Sequence, residues 1–395
     1  MRRMRNWLGA VTLCCMAHVG CTGLSFAQVE RVWLTHGSKT PSSIVVNWET
    51  AEPGGSEVRY RTEGGDERVV KKEESVTLHR VPIPLSEKDA RYHYSVRSGP
   101  HVSPDAAFKG YPTDVLRVVV VANWHSAGEG VVAFRRENPH LLLTAGDNVS
   151  NLHSVGSGDA KINTEPFSRL IDSAPDLFRS TPFLPVLGNH DRQIRPRGTK
   201  PPPEAVYDIE ATAFRRFFEL PGDEWKWTFA VPEFDLQFVA LDLNHTSDFG
   251  TAWQTCHDFH RDSEQFKWYS NVIKSNQARF LVTLHNENNR RMRSYENGAW
   301  HDLFRQGTTV ITGFGYFGER AVVDGFPYYN TSLRGTGDRY PDPQSNFLAG
   351  ENNYMLLTFR SGRPEMVVEL KRLADGSILD RQTFDEHSAN FPEPR

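Results

Sequence analysis

The sequence predicts two successive folding units, a small N-terminal β-sandwich and a larger α/β domain. Residues 28 to about 110 alternate polar and apolar side chains with the period of two that is typical of strands, and clusters of Gly, Pro and Ser separate the runs. After residue 111, short and very apolar runs alternate with longer polar segments that are compatible with helices. A chain of 395 residues is long enough to bury two such cores.

The first 27 residues have the pattern of a secretory signal peptide. Three arginines within the first five residues precede an apolar stretch over residues 7–19, and a small-x-small pattern ends at Ala27. We therefore expect a secreted or periplasmic protein that is cleaved near Ala27, with lipoprotein processing at Cys21 as the alternative. The apolar stretch is too short to span a membrane, and no later segment predicts a transmembrane helix.

The charge balance gives no electrostatic footprint for a nucleic-acid partner. The chain has 45 Lys and Arg against 49 Asp and Glu, a net charge of −4, and removal of the leader makes it more negative. Binding to nucleic acid requires a clustered basic surface, which this composition does not predict. Cys256 is the single cysteine outside the leader, so no internal disulfide is expected. The sequence leaves the oligomeric state open.

Within the N-terminal unit, the clearest strand patterns cover residues 31–35, 43–48, 57–61 and 92–96. The Pro- and Gly-containing residues 52–55 are expected to separate the second strand from the third. Short strands at this spacing are typical of a β-sandwich, with Trp48 as the expected residue between its sheets. We expect a linker between Pro104 and Pro112.

Within the second unit, apolar runs predict strands that are buried on both faces. The predicted strands cover residues 118–122, 141–144, 183–187, 236–241, 280–284 and 309–312, and the predicted helices cover 166–171, 211–217 and 263–273. A closing hairpin is expected from residues 354–359 and 366–371.

Polar residues follow four of these strands. They are Asn123-Trp124-His125, Gly146-Asp147-Asn148, Gly188-Asn189-His190-Asp191 and His285-Asn286. In open α/β sheets, ligands bind beyond the carboxyl ends of the strands. Oxygen and imidazole donors suit Zn, Mn or Fe, and a pair of such ions can hold both oxygens of a phosphoryl displacement. The pattern therefore predicts a metal site with phosphate-ester chemistry.

The order of these segments resembles the calcineurin-like metallophosphoesterase superfamily, and within it the purple acid phosphatases. The resemblance spans about residues 28–385. It implies an αββα metallophosphoesterase sandwich, two β-sheets flanked by helices, in residues 111–395, and a fibronectin-III-like β-sandwich in residues 28–110. It also implies an acid-phosphatase-like hydrolase of phosphate esters that uses a hydroxide activated by Fe, Mn or Zn, with one or two ions bound.

The resemblance further implies a ligand set and a catalytic pair. The implied metal ligands are Asp147, which would bridge two ions, Asn123 and His125 on the first ion, and Asn189 and His285 on the second. The implied catalytic pair is His190, which would contact the phosphate or protonate the leaving group, and Asp191, which would orient His190.

Four positions depart from the family pattern. Asn123 replaces an Asp, Phe314 and Tyr316 replace the two His of the closing Gly-His-x-His block, and Ser150 stands where the purple branch has Tyr. Zn, Mn and Fe sites normally use three or four protein ligands. The metal content is therefore left open at two ions, one ion or none, with Tyr316 as an alternative phenolate ligand. The alternative function is a catalytically inactive pseudo-phosphoesterase that acts as a binding or structural protein.

Overall fold

The computed structural model describes residues 29–124, 131–153, 162–195 and 202–385. The predicted leader and the candidate ligand His125 lie outside these ranges. Within them, no helix has both the length and the apolar character that crossing a membrane requires.

The N-terminal unit is an antiparallel β-sandwich. Its strands are β1 (Val29–Thr35), β2 (Ser43–Thr62), β3 (Arg68–Pro84), β4 (Arg91–Ser98), β5 (His101–Val102) and β6 (Ala106–Lys109). The long β2 pairs with β1, β3 and β4 in turn, which folds the sheet over its own core. Trp48 is fully buried in that core and stacks on His79 with ring centroids 4.6 Å apart, as the sequence predicted.

Two expectations for this unit were wrong. Residues 52–55 do not end a strand, because β2 continues through them with register shifts around Gly54. A bulge accommodates Pro53, whose missing N–H would otherwise break the ladder. Strand β6 lies inside the predicted linker and pairs with β4. Strand β3 escaped prediction because its first half is charged and exposed, without an apolar face.

The second unit contains fifteen strands and seven α-helices within the described ranges. The strands are β7 (Val115–Val121), β8 (Leu141–Thr144), β9 (Leu152–His153), β10 (Phe183–Leu184), β11 (Gln193–Ile194), β12 (Trp227–Val231), β13 (Leu236–Ala240), β14 (Phe280–His285), β15 (Thr309–Thr312), β16 (Gly318–Val323), β17 (Phe326–Asn330), β18 (Ser345–Ala349), β19 (Asn353–Arg360), β20 (Met366–Arg372) and β21 (Ile378–Phe384). The helices are α1 (Val131–Arg136), α2 (Glu165–Ser173), α3 (Pro175–Phe178), α4 (Thr212–Phe217), α5 (Glu264–Ser275), α6 (Asn289–Ser294) and α7 (Ala299–Phe304).

Two large sheets form the centre of this unit. The first has the order β10-β8-β7-β19-β20-β21 and the second has the order β12-β13-β14-β15-β17-β16-β18. Strands β7, β8 and β10 are parallel in the first sheet, and β13, β14, β15 and β17 are parallel in the second. Their facing sides share one apolar core, and α5 and α7 pack on the other face of the second sheet. Helices α1 and α3 pack on the first sheet through Phe134 and Phe178, which completes an αββα sandwich.

The two units pack directly against each other. Trp33 of β1 stacks on Phe217 of α4 with parallel rings 4.5 Å apart. The Tyr94 hydroxyl donates a 2.8 Å hydrogen bond to the carbonyl of Arg179. The N-terminal sandwich therefore contributes side chains to the core of the larger unit, while the domain boundaries at residues 27 and 110 stay predictions.

Most predicted elements of the second unit are present. Helix α5 begins after Ser263, whose hydroxyl accepts a hydrogen bond from the Phe266 amide at 3.1 Å, and the closing hairpin is β19–β20. Strand β10 is shorter than predicted because Pro185 follows it and has no N–H to donate to a neighbouring strand.

Candidate functional site

The segments that follow β7, β8 and β14 meet between the two sheets. The Asn123 amide donates to the carbonyl of Gly146 at 3.2 Å, and the Asn286 side chain donates to the carbonyl of Ala145 at 2.8 Å. Gly313, after β15, is packed so closely that a Cβ there would lie 2.3 Å from that of Ala122. The fold thus brings the predicted strand-end residues to one edge.

Asp147 lies against the turn at residues 188–191. A Cβ on Gly188 would be 2.1 Å from Asp147 Oδ1, so only glycine fits at this position. The His190 amide donates a long hydrogen bond of 3.3 Å to the same oxygen. The Asp147 side chain is largely buried, and its backbone has the left-handed φ of 56°. We call Asp147 and residues 188–191 the charged half of the site.

Asp191 fixes the conformation of the charged half. Its buried carboxylate accepts hydrogen bonds from the Gly188 amide at 2.8 Å and from the amide and side chain of Asn148, both at 2.9 Å, with the Val149 amide at 3.3 Å. Burial raises the pKa of Asp191 to about 7, and the charge of Asp147 adds to the shift. Asn148, named among the strand-end residues without an assigned role, links β8 to this turn through its side chain.

Asn189 and His190 are half-buried and line an open pocket of about 280 Å³. His190 Nδ1 hydrogen-bonds the carbonyl of Ser150, which can only accept. Nδ1 therefore carries a proton in this contact. Asp191 and His190 lie on one turn, and Asp191 holds the backbone that carries the His190 ring.

Asn123 lies in a different environment. We call Asn123 and residues 313–316 the neutral half of the site. Its side-chain nitrogen donates to the carbonyls of Gly313 at 2.8 Å and Gly315 at 3.1 Å, and to the hydroxyl of Ser332 at 3.1 Å. Two of these partners can only accept, so the amide NH₂ must face them. Asn123 therefore holds the loop that carries the two replaced His positions.

Phe314 and Tyr316 cover this half with aromatic rings. The Phe314 ring lies between His245 and Tyr340, with centroid distances of 6.0 and 5.2 Å. The Arg334 guanidinium lies 4.5 Å from the centre of the Tyr316 ring. Burial raises the pKa of Tyr316, and the charge of Asp147 raises it further, so the phenol keeps its proton. A protonated phenol is a poor substitute for imidazole as a ligand.

His285 does not face the other candidate residues. Residues 281 and 283 of β14 belong to the face covered by α5 and α7, and His285 continues that alternation. The His285 ring stacks on Phe304 with ring centroids 5.9 Å apart. Burial lowers the pKa of His285 to about 3. Asn286 points to the site instead, and it had no assigned role among the strand-end residues because the resemblance implied a ligand at His285.

The donors fit one cation better than two. No three His, Cys, Asp or Glu side chains of the described ranges cluster as a metal site. The Asn123 nitrogen is committed to the neutral half, and His285 faces the helices, which removes two predicted ligands from the described set. Asp147 remains as a buried carboxylate with Asn189 on the adjacent turn, and these two oxygen donors could hold at most one cation, with water and substrate as its other ligands.

Comparison with known proteins gives a family match and matches to solved structures. The family model described as calcineurin-like phosphoesterase matches residues 112–325. The solved structure of PhoD shares 11% identity, covers 90% of both chains and has a TM-score of 0.62. GAP50, the anchor in the inner membrane complex of Plasmodium, shares 13% identity over 69% of this chain and 89% of its own, with a TM-score of 0.46.

A third match concerns the N-terminal unit alone. The third fibronectin III domain of a human protein shares 17% identity and covers 24% of this chain and 94% of its own, with a TM-score of 0.18. A search of the curated proteins finds no match. At these identities, the solved structures speak to the fold alone.

Proposed function

The chain belongs to the calcineurin-like phosphoesterase family, and on that premise we propose that it is an exported, divergent phosphoesterase with one divalent cation. A phosphoesterase-type function follows from the family. The finer proposal covers export, hydrolysis of phosphate esters outside the cytoplasm, and an acid-phosphatase-like type. The proposal of hydrolysis rests on one observation, the packing of Asp147 against the turn that carries Asn189 and His190, whereas the proposal of export rests on the leader pattern of residues 1–27.

Electrostatics supports a cation at the charged half. A phosphate ester beside Asp147 would bring two negative charges together, and the low local polarity would strengthen the repulsion. Asp147 and Asn189 would hold the ion, with Mn²⁺, Fe or Zn²⁺ as candidates. When bound, such an ion supplies charge neutralisation of the phosphoryl oxygens and lowers the pKa of water.

The residues of the chain supply orientation and a proton. Asp191 holds the turn through its four hydrogen bonds, so Asn189 and His190 keep fixed positions at the pocket. His190, with Nδ1 anchored on the Ser150 carbonyl, would protonate the oxygen of the leaving group from Nε2. The pocket beside His190 then receives the leaving group.

A second candidate function is binding of a phosphate ester without hydrolysis. The observation that favours it is the set of three hydrogen bonds of Asn123, which joins the replaced ligand positions into a neutral, self-satisfied loop. A carboxylate at position 123 could not donate these hydrogen bonds. The loop therefore depends on the amide of Asn123 for its structure.

The test is metal content and hydrolysis of the purified protein after equilibration with Mn²⁺, Fe²⁺ or Zn²⁺. We expect one ion per chain, and hydrolysis that Asp147→Asn lowers at least about 100-fold together with the bound ion. Asp66→Asn, at an exposed site, is the matched control and should change neither. Phosphate-ester binding without ions and without hydrolysis would favour the second candidate, and two ions would contradict the single-cation assignment.

A further inference from the structure

The pocket beside the charged half has aromatic walls. It is lined by Asn151, Leu152, Asn189, His190, Arg192, Ile194, Tyr207, His245, Asp248, Trp253 and Thr255. Three of these side chains, Tyr207, His245 and Trp253, are half-buried rings. Since an engineered cavity of about 150 Å³ already binds benzene, a pocket of about 280 Å³ has room for a substituted ring.

The two largest rings stand on segments that are fixed to each other. The Val206 amide donates to the carbonyl of Ala252 at 3.1 Å, and the Arg195 amide donates to the carbonyl of Val206 at 2.8 Å. Tyr207 forms a β-bridge with Ile194, which extends the segment that follows the charged half. These bonds hold Tyr207 and Trp253 on neighbouring segments before any ligand binds, which lowers the entropic cost of binding.

The buried charge in the pocket wall is neutralised by an ion pair. Arg192 is fully buried, and its guanidinium forms an ion pair with the fully buried Asp242. His257 also donates to Asp242 through its amide at 2.9 Å, and Asp248 lies 3.8 Å from the ring nitrogen of His245. Because Asp242 neutralises the buried Arg192 and Asp248 adds a negative charge to the wall, the pocket favours a neutral group over an anionic one.

We propose that this pocket binds a neutral, planar aromatic leaving group, so that the substrate class is the aryl phosphate esters. The inference rests on the proposed function, which supplies the site for the phosphoryl group of the substrate. In the reaction, a water oxygen bonds to phosphorus, the bond between phosphorus and the aryl oxygen breaks, and His190 gives that oxygen its proton. The proton lost by water restores His190, and the products are a phenol and phosphate.

Calorimetric binding of two unreactive probes tests the inference on the purified protein with Mn²⁺. Phenylphosphonate carries the ring and the phosphoryl group, whereas methylphosphonate carries the phosphoryl group alone. Aromatic contacts with Tyr207 and Trp253 should make phenylphosphonate bind about 10-fold more tightly. Trp253→Leu should reduce that ratio to about 3-fold or less while the affinity for methylphosphonate stays the same.

Two further variants keep the test decisive. Tyr207→Leu should lower the ratio in the same direction, which provides a second reading if Trp253→Leu does not fold. Trp268→Leu removes a half-buried Trp from α5, outside the pocket lining, and should leave both affinities unchanged. Equal affinity of the wild-type protein for the two probes overturns the aromatic pocket and leaves the proposed function standing. Failure of both probes to bind overturns the proposed function and this inference together.

Discussion

The charged half and the neutral half of the site lie at the same edge of one fold but are stabilised in different ways. In the charged half, a buried carboxylate, Asp191, accepts hydrogen bonds from several backbone and side-chain donors. In the neutral half, an amide, Asn123, donates to carbonyl and hydroxyl oxygens. One half is organised around a hydrogen-bond acceptor and the other around an N–H donor.

This difference shows that the two halves depend on separate networks of side-chain hydrogen bonds. The side-chain hydrogen bonds of Asp191 stay within residues 148–191, and those of Asn123 reach residues 313–332, so the two sets share no partner. A metal-ligand position can therefore become a structural hydrogen-bond donor while the neighbouring turn keeps its conformation. The four predictions below separate the halves by stability and pH.

Removal of the Asp191 carboxylate should break the charged half. Asp191→Ala leaves the buried donors of Gly188 and Asn148 without their acceptor, and we expect the free energy of unfolding to fall by about 4 kcal/mol. Urea denaturation followed by circular dichroism measures the loss. The exposed Asp66→Ala is the control and should change stability by less than about 0.5 kcal/mol. A loss below about 1 kcal/mol would show that water replaces the carboxylate.

Restoration of the family's carboxylate should break the neutral half. Asn123→Asp places an acceptor against the carbonyls of Gly313 and Gly315, and we expect a loss of about 3 kcal/mol in the free energy of unfolding without added metal. Asn271→Asp, on the exposed face of α5, is the matched control. Unchanged stability, or full recovery on addition of Mn²⁺, would show that the neutral half still accepts a metal-binding geometry.

The pH dependence of stability should reveal a second buried carboxyl group, that of Glu319, beside the neutral half. Burial raises the pKa of Glu319 to about 7, from an ordinary value of 4.5. The folded chain therefore holds a proton that the unfolded chain has lost, so this stability is fully present below pH 4.5 and is lost as the pH rises through 7. The contribution is about 2 kcal/mol after allowance for partial solvation.

Glu319→Gln should flatten that part of the stability curve. The comparison is the difference between wild-type and variant unfolding free energies from pH 4 to pH 8, because other titrating groups cancel in it. Glu63→Gln, at an exposed position, should reproduce the wild-type slope. Identical slopes for wild type and Glu319→Gln would place the titration elsewhere.

The smallest effect is expected at Phe314. Its half-exposed ring contacts His245 and Tyr340 on one side of the loop, so Phe314→Ala should lower the free energy of unfolding by about 1 kcal/mol. Phe314→Leu, which keeps most of the volume, should lose less than half of that. A loss of about 3 kcal/mol or more would mean that Phe314 supports the neutral half in the same way as Asn123.

Much of the fold could be predicted because it is encoded locally. The period-two runs of the sandwich and the apolar runs of β7, β8, β13, β14 and β15 are patterns of adjacent residues. The predictions failed where the local sequence pattern differed from the one typical of the structure that formed. A Pro-Gly segment became a bulge in β2, and the charged β3 had no apolar face to reveal it.

The sequence by itself determined the order of the strand-end residues and the presence of the Gly-Asn-His-Asp turn, since both are contiguous along the chain. Only the tertiary structure decided that Asn286 rather than His285 faces the site, that Asn123 donates to the opposite loop, and that Tyr207 and Trp253 share one pocket. The reason is geometric. A shift of one residue along a strand reverses the face of every side chain, and contacts between segments distant in the chain depend on how the two sheets pack.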